Sequence, residues 1–391
     1  MDKLQGRLLW PERAIQRRRF LILVGGAAAY LAVRPHRAWA RRVARQQPVL
    51  QPWTLPDEPP AGALEVARSL VAAAVLAPSL WNSQPWRFEV EGSTIRIVAD
   101  GQRSLPITDP GQRGLMISLG AALENLLVAA RAYGLRPKVT YAPHDGLGGL
   151  VAEVTWSNGD LRRDRPMFGA IVERRTNRRM YDGRGILAPN RAQLIAQVPE
   201  GFLLHWIDDR DRIESVADLA HQAIHERVLD RRAEAEQYSW MRFDDEARRR
   251  GDGVSVEELE LGGPARWMAG RYFNPESWFL RFGAQSAAKQ ARSAVRSAGA
   301  LALLVAVRGG EAQWLTGGQA YERFALKATT LGIAHQPINT MIESDRYRAD
   351  VLRQFAAGGE EPLMLLRLGH AKSPPPAVRR NVGLVASFRN S

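Results

Sequence analysis

Cysteine is absent from the sequence. That excludes disulfide staples, Cys-held zinc, iron–sulfur clusters and thiol nucleophiles. Histidine is scarce, with seven residues in the whole chain. Only His221 and His225 have i, i+4 spacing on a stretch with helical character. There Gln222 stands where an H-E-x-x-H zinc site needs its general-base glutamate, so no metal site is expected. The N-terminal apolar run is short as well. The apolar stretch from Phe20 to Val33 has fourteen residues, short of the roughly 20 that cross a bilayer as a helix. Dinucleotide fingerprints are also lacking, since Gly146-Leu147-Gly148-Gly149 and Gly262-Gly263-Pro264 read as turns rather than G-x-G-x-x-G.

Negative charge is in the minority, with 41 acidic against 54 basic residues and a net charge of +13. Residues 1–40 hold eight of the basic groups and two of the acidic ones, so much of the excess is local. The remainder fits a basic soluble surface, or arginines that meet the phosphate of a small ligand. No nucleic-acid-binding motif appears, and no nucleic-acid partner is expected. What is present suits a globular chain: 391 residues, 45% hydrophobic and 24% charged, enough for a core and one to three domains.

The N-terminal region reads as an address. Gln16-Arg17-Arg18-Arg19-Phe20-Leu21 resembles the twin-arginine export signal, the apolar run follows, and Ala38-Trp39-Ala40 is an A-x-A cleavage pattern. The expectation is a signal peptide over 1–40, export by the twin-arginine machinery to the periplasm or another extracytoplasmic space, and no permanent membrane anchor. Residues 41–60 contain Pro48, Pro52, Pro56, Pro59 and Pro60 and read as a Pro-rich linker.

Beyond the linker, apolar spacing predicts helices over about 63–77 and 112–133, with strands near 87–91, 94–99, 137–141 and 150–156. A second part begins with a helix near 167–174. It ends in a strand at 300–307, a helix over about 313–331 and a strand at 362–368. The order of elements repeats although the sequence does not. Residues 230–298 interrupt the second part with mixed charge and three tryptophans, Trp240, Trp267 and Trp278. They suit either a solvated helical insertion or a lid over a ligand site.

Two segments carry chemistry. Pro78-Ser79-Leu80-Trp81-Asn82-Ser83-Gln84-Pro85-Trp86-Arg87-Phe88 lies between a helix and a strand. Asn82 and Gln84 have amides that both donate and accept, as the edge of a planar heterocycle requires. The same residues would also serve in a capped turn with Trp86 and Phe88 in the core. Glu173-Arg174-Arg175-Thr176-Asn177-Arg178-Arg179 sets four arginines around a hydroxyl. In an extended segment alternate residues share a side, so Arg174, Thr176 and Arg178 could clamp a phosphate. A solvated basic loop has the same composition.

The first segment is similar to the P-S-S-x-N-x-Q-P-W-x-F motif of the nitroreductase superfamily, with Leu80 in place of the second serine. The second resembles that family's R-x-S-x-R/K phosphate motif, with Thr176 in place of serine. Trp314 to Ala320 and on to Leu331-Gly332-Ile333 resembles its long helix and L-G-L turn. Leu366 to His370 and Pro374 to Arg380 resemble its last strand and C-terminal basic residues. The order of these pieces, with Asp100-Gly101-Gln102-Arg103 and Asp109-Pro110-Gly111-Gln112-Arg113, resembles the Acg-like group.

The resemblance implies an α+β nitroreductase-like fold in which two tandem halves, 61–160 and 161–391, form a fused pseudo-dimer with a lid-like insertion at 230–298. It implies one FMN held by Pro78, Ser79, Leu80, Asn82 and Gln84 of the first half, with Arg174, Arg175, Thr176, Arg178, Gly332, Ile333, Arg379 and Arg380 of the second. Hydride would pass from NAD(P)H to FMN and on to a small-molecule acceptor, with no side chain singled out as catalytic. A chain that binds or sequesters FMN beneath the lid without turnover is the alternative. A single chain holding the whole site implies a monomer. His335, just after the Gly332-Ile333 turn, could approach the flavin or serve the core.

Overall fold

The computed structural model describes residues 53–142, 148–159, 164–255, 258–259 and 280–389. The expected signal peptide, the first part of the linker and the middle of the insertion lie outside the described residues. In the first part of the chain α1 (Ala63–Ala74), β1 (Trp86–Glu91), β2 (Thr94–Ala99), α2 (Arg113–Ala132), β3 (Leu135–Tyr141) and β4 (Leu150–Asn158) follow one another. Next come α3 (Arg165–Glu173), α4 (Ala188–Ile195), β5 (Phe202–Ile207), α5 (Arg210–Leu229), α6 (Arg231–Ser239), β6 (Met241–Arg242), α7 (Asp245–Arg248) and β7 (Val254–Ser255). The chain closes with α8 (Leu280–Arg296), β8 (Ala300–Ala306), α9 (Glu311–Thr330), β9 (Ala334–Pro337), α10 (Thr340–Glu343), α11 (Asp345–Gln354), β10 (Glu361–Gly369), α12 (Val382–Val385) and β11 (Ala386–Arg389).

Two larger sheets and a two-stranded parallel pair, β6 on β7, form among the described residues, and the fold is α+β. The first runs β11-β1-β2-β4-β3, antiparallel except where β11 lies parallel on β1, with Phe88 opposite Ala386 and Val90 opposite Phe388. Its β1 alternates strictly: Trp86, Phe88 and Val90 are buried and Arg87, Glu89 and Glu91 are exposed, the signature of a sheet covered on one face. The second runs β5-β8-β10-β9 and is antiparallel throughout. Every residue of β8 is buried. Leu301, Leu303 and Val305 join one core with Val216, Ala217, Val295 and Tyr347 from α5, α8 and α11, while Ala300, Ala302 and Leu304 join another with Tyr321, Phe324 and Ala325 of α9.

The two sheets meet through α2 and α9. A Cβ on Gly120 would lie 1.9 Å from the Leu315 carbonyl oxygen, and one on Gly318 would lie 2.2 Å from that of Ile117. Glycine at both positions lets the two backbones touch. The buried Glu124 of α2 is bound there by Arg131 at 2.9 Å and by Arg323 of α9 at 2.6 Å, so a desolvated carboxylate has two cations.

The described part of the expected linker is held in place. The Trp53 indole donates to the Ala377 carbonyl at 2.9 Å, and the Pro56 carbonyl accepts from the Tyr133 hydroxyl at 2.8 Å. Proline content indicated a free tether, but these prolines flank a tryptophan that packs on the core. The stretch 230–298 also divides. Its last part, α8, packs along α5 with Ala284, Ala288 and Val295 buried, and Val295 joins the second core.

Candidate functional site

The Ser79–Gln84 turn is tight and strained. A 3₁₀ turn covers Leu80–Asn82, and Trp81, Asn82 and Gln84 have φ of 51°, 53° and 53°, where side chains other than glycine are uncommon. The turn is over-determined by its neighbours. Ser79 Oγ accepts from Gln84 N at 2.9 Å, and Leu80 N donates to Ser118 Oγ on α2 at 3.2 Å. Asp109 receives Gly114 N and Leu115 N at 3.0 and 2.8 Å and caps the start of α2 beside this turn. Burial raises its carboxyl pKa.

Asn82 and Gln84 are buried, and their amides are taken up by protein. Asn82 Nδ2 donates to the Gly253 carbonyl at 2.8 Å and to Val378 at 3.1 Å, and Oδ1 accepts from Arg379 Nη1 at 2.9 Å. Gln84 Nε2 donates to the Gly251 carbonyl at 2.8 Å, and Oε1 accepts from Arg380 N at 2.9 Å. Gly253 N returns a bond to the Asn82 carbonyl at 3.1 Å. The loop from 251 to 253 can lie this close because Gly251 and Gly253 have φ of +74° and +71°, and a Cβ on either would collide with the Arg379 or Trp240 carbonyl. Between them the buried Asp252 pairs with Arg242 at 2.7 Å and with Arg103. An amide pair expected to read a ligand edge thus anchors the inserted segment.

The arginine segment is extended, with Thr176 and Arg178 on one side, but Arg174, expected to converge with them, does not line their cavity. Thr176 forms a bridge with His335. Thr176 and Arg178 line a cavity of about 370 Å³ together with Pro78, Ser79, Leu80 and Tyr321. Arg175 faces the other way, into a separate cleft with Gly332, Ile333 and His335, where its guanidinium stacks 4.2 Å from the Trp53 ring. Gly332 has φ of +67° and ends α9, its N–H on the Thr329 carbonyl at 3.0 Å. The segment therefore divides the predicted set between two clefts.

Arg174 and Arg379 lie in neither cleft. Arg174 is 2% exposed, and its Nε is 3.3 Å from Oε1 of the fully buried Glu322 on α9. Arg379 Nη1 and Nη2 are spent on Asn82 and on the Val378, Leu76 and Ala77 carbonyls. Arg380 lies 3.9 Å from Asp100. Arg174 Nε and Nη1, Arg379 Nε, both Glu322 oxygens, both His335 ring nitrogens and the Tyr321 hydroxyl are buried with no hydrogen-bond partner. Such groups normally face a ligand or an ordered water.

The electrostatics follow from burial. Desolvation, only partly offset by Arg174, pushes Glu322 up to about 8. Desolvation and then the Arg174 charge push His335 down to about 3, so its imidazole is neutral. Burial and the neighbouring Arg174 lower Arg379 to about 9. Arg178 is lowered by burial and supported by Glu258, whose own carboxyl burial raises. Sequence reasoning missed Ser118, Tyr321 and Glu322, which sit on long helices and read as ordinary helix residues. The only available signal was their place on the buried stripes of α2 and α9.

No protein-family model matches the sequence. Over 339 residues the chain is 28% identical to the Mycobacterium tuberculosis (strain H37Rv) protein named "Putative NAD(P)H nitroreductase Rv3131", spanning 83% of this chain and 92% of that one. Over 116 residues it is 35% identical to "Putative NAD(P)H nitroreductase acg" of the same organism, spanning 29% of this chain and 35% of that one. This chain is similar to proteins named putative NAD(P)H nitroreductases. Among solved structures, this chain overlaps in part with the FMN-dependent nitroreductase NfnB from Mycobacterium smegmatis in complex with NADPH: TM-score 0.35, 14% identity, 57% of this chain and 98% of that one. It also overlaps with a nitroreductase with bound FMN from Bacteroides fragilis: TM-score 0.30, 16% identity, 53% of this chain and 88% of that one. The stretch shared with the full-length relative covers most of the chain, whereas the likeness to acg covers less than a third.

Proposed function

We propose that this chain is an FMN-dependent NAD(P)H oxidoreductase of the nitroreductase superfamily, built as two tandem halves. The observation that supports this most is the shared cavity. Ser79 and Leu80 come from the first part of the chain, Thr176 and Arg178 come from the second, and both pairs line the same 370 Å³ space. The residues fit a phosphate-bearing planar ligand at one end, where Arg178 offers charge, Thr176 a hydroxyl and Tyr321 a buried, unpartnered hydroxyl. When bound, FMN supplies two-electron redox chemistry at its ring. The chain's part is to hold and orient it: the Ser79–Leu80 backbone and Ser118 along one wall, Thr176 and Arg178 at the phosphate. Arg174, buried against Glu322, supports the segment from behind.

The test is to purify the protein with FMN and add NADH or NADPH without oxygen. Bleaching of the flavin band is expected with at least one of them. Bleaching by dithionite alone would rule out the nicotinamide reaction.

A second reading, FMN held without turnover, is favoured by one feature. The Gly251–Gly253 loop occupies the Asn82 and Gln84 amides, and Glu258 supplies the counter-charge of Arg178. On this reading Asp252→Ala, which removes the partner of Arg103 and Arg242, should convert a protein inert to NAD(P)H into one that bleaches. An equally inert variant that keeps its FMN would rule out gating by this loop.

We also propose export through the residue 1–40 signal and a monomeric solution state. Retention in the cytoplasm of wild type and of an Arg17→Lys/Arg18→Lys variant alike would refute export, and a dimer mass would refute the monomer.

A further inference from the structure

The cavity shared by Ser79 and Arg178 has a second cationic position in its wall. Arg227 lies in the last turn of α5, and its charge partners are Glu343 and Glu234, whereas that of Arg178 is Glu258. Gln237 of α6 and Glu343 of α10 line the cavity beside it. With the Gln237 amide oriented to satisfy both groups, its oxygen accepts from Arg227 Nε at 2.7 Å and Nη2 at 2.5 Å. A neutral side chain therefore fixes the plane of the guanidinium. Glu343 Oε2 is 3.9 Å from Arg227 Nη1, too far for a hydrogen bond. That carboxylate also faces Arg113, so it is shared between two cations.

Arg227 thus presents an oriented fork whose charge is matched only loosely. Its side chain is 17% exposed, and ionic contacts there act in a medium less polar than water. The wall around it is apolar, with Ile224, Val228, Val295, Ile338, Met341 and Met364. A planar carboxylate fits the fork with two parallel hydrogen bonds, and a flat apolar body fits the wall. We propose that Arg227 is a specificity-determining residue that selects aromatic acceptors bearing a carboxylate, and that Glu343 opposes them. The inference rests on the reading of this cavity as the redox site.

The probes are 4-nitrobenzoate and 4-nitrobenzamide, which share a body and differ in charge. Their binding to the FMN-loaded protein is measured by calorimetry, which does not depend on turnover. The wild type should prefer the benzoate by roughly tenfold to hundredfold, the affinity equivalent of a charged hydrogen-bonded pair. Arg227→Met should abolish that preference. Glu343→Gln should act in the opposite direction and tighten benzoate severalfold without tightening benzamide, which keeps the test open if the methionine variant does not fold. Equal binding of the two probes by wild type, a preference that survives Arg227→Met, or weaker benzoate binding in Glu343→Gln would each overturn the proposal. So would loss of FMN but not riboflavin affinity in Arg227→Met, which would make Arg227 the phosphate ligand. Discrimination between probes in a protein that NAD(P)H never bleaches would fault the redox reading and leave the selectivity standing.

Discussion

Arg174 and Arg178 look alike in the sequence and differ in what the fold does with them. Arg178 lines the cavity, while Arg174 is paired with Glu322 in the interior. Arg178→Ala should weaken FMN retention by about 1.5–3 kcal/mol, the worth of a charge-assisted hydrogen bond, with little loss of stability. Arg174→Ala should cost on the order of 3 kcal/mol of folding stability, because it empties a buried arginine-sized space and removes the buried partner of Glu322. Flavin titration and urea unfolding of both variants check this, and equal stability losses would fault the assignment. His335 and Glu322 set the pH response of the same region. The His335 pKa falls from 6.5 to about 3, so its neutral form stabilises the fold above pH 6.5, and that contribution is lost as pH drops toward 3. Glu322 rises from 4.5 to about 8, so its contribution is present below pH 4.5 and is lost as pH rises toward 8. The pair places maximal stability between 4.5 and 6.5. His335→Gln should flatten the acid side of the urea-midpoint profile, and Glu322→Gln the alkaline side.

At the level of elements, the strands and helices with clear periodicity were legible. The alternation of Trp86, Phe88 and Val90 and the stripes of the 113–132 and 311–330 helices appear within two residues of where periodicity puts them. The strand Phe202–Ile207 was not foreseen, since its exposed edge residues blur the pattern. The docking of Gly251 and Gly253 on Asn82 and Gln84 joins positions 167 and 171 residues apart, and no local pattern encodes it. Helix contact gives a direct test. Gly318→Ala places a methyl against the Ile117 carbonyl at 2.2 Å and should destabilise by about 1–3 kcal/mol or more. A midpoint unchanged in denaturant would show that α2 and α9 are not packed this closely.

For the whole molecule, the β11 strand ties residues 386–389 to β1 of the first sheet, more than 290 residues away along the chain. The β11 strand covers one edge of β1, with Trp53 and Arg379 stacked nearby at 5.0 Å. Removal of residues 386–391 should expose the β1 edge, lower the unfolding midpoint and promote self-association, as unpaired edges do. A truncated protein as monomeric and as stable as the full chain, by mass measurement and thermal unfolding, would show that β11 contributes nothing. The cavity residues come from both parts of the chain, so α2–α9 packing and the site stand or fall together.

Much was decided by the sequence alone: no thiol chemistry, the elements with strong periodicity, and two polar segments, 78–88 and 173–179, that suit either a ligand or a capped turn and a solvated loop. Those follow from residue type and short-range spacing, which need no tertiary contact. What each of those residues faces was decided only by the tertiary structure. It turned Arg174 inward, divided Thr176 and Arg178 from Arg175 across an extended segment, gave the Asn82 and Gln84 amides to a glycine loop and brought Tyr321, Arg227 and Glu343 to the cavity. The physical reason is that polar groups must be paired once they leave water, and the partner available to each is set by chain segments more than a hundred residues away.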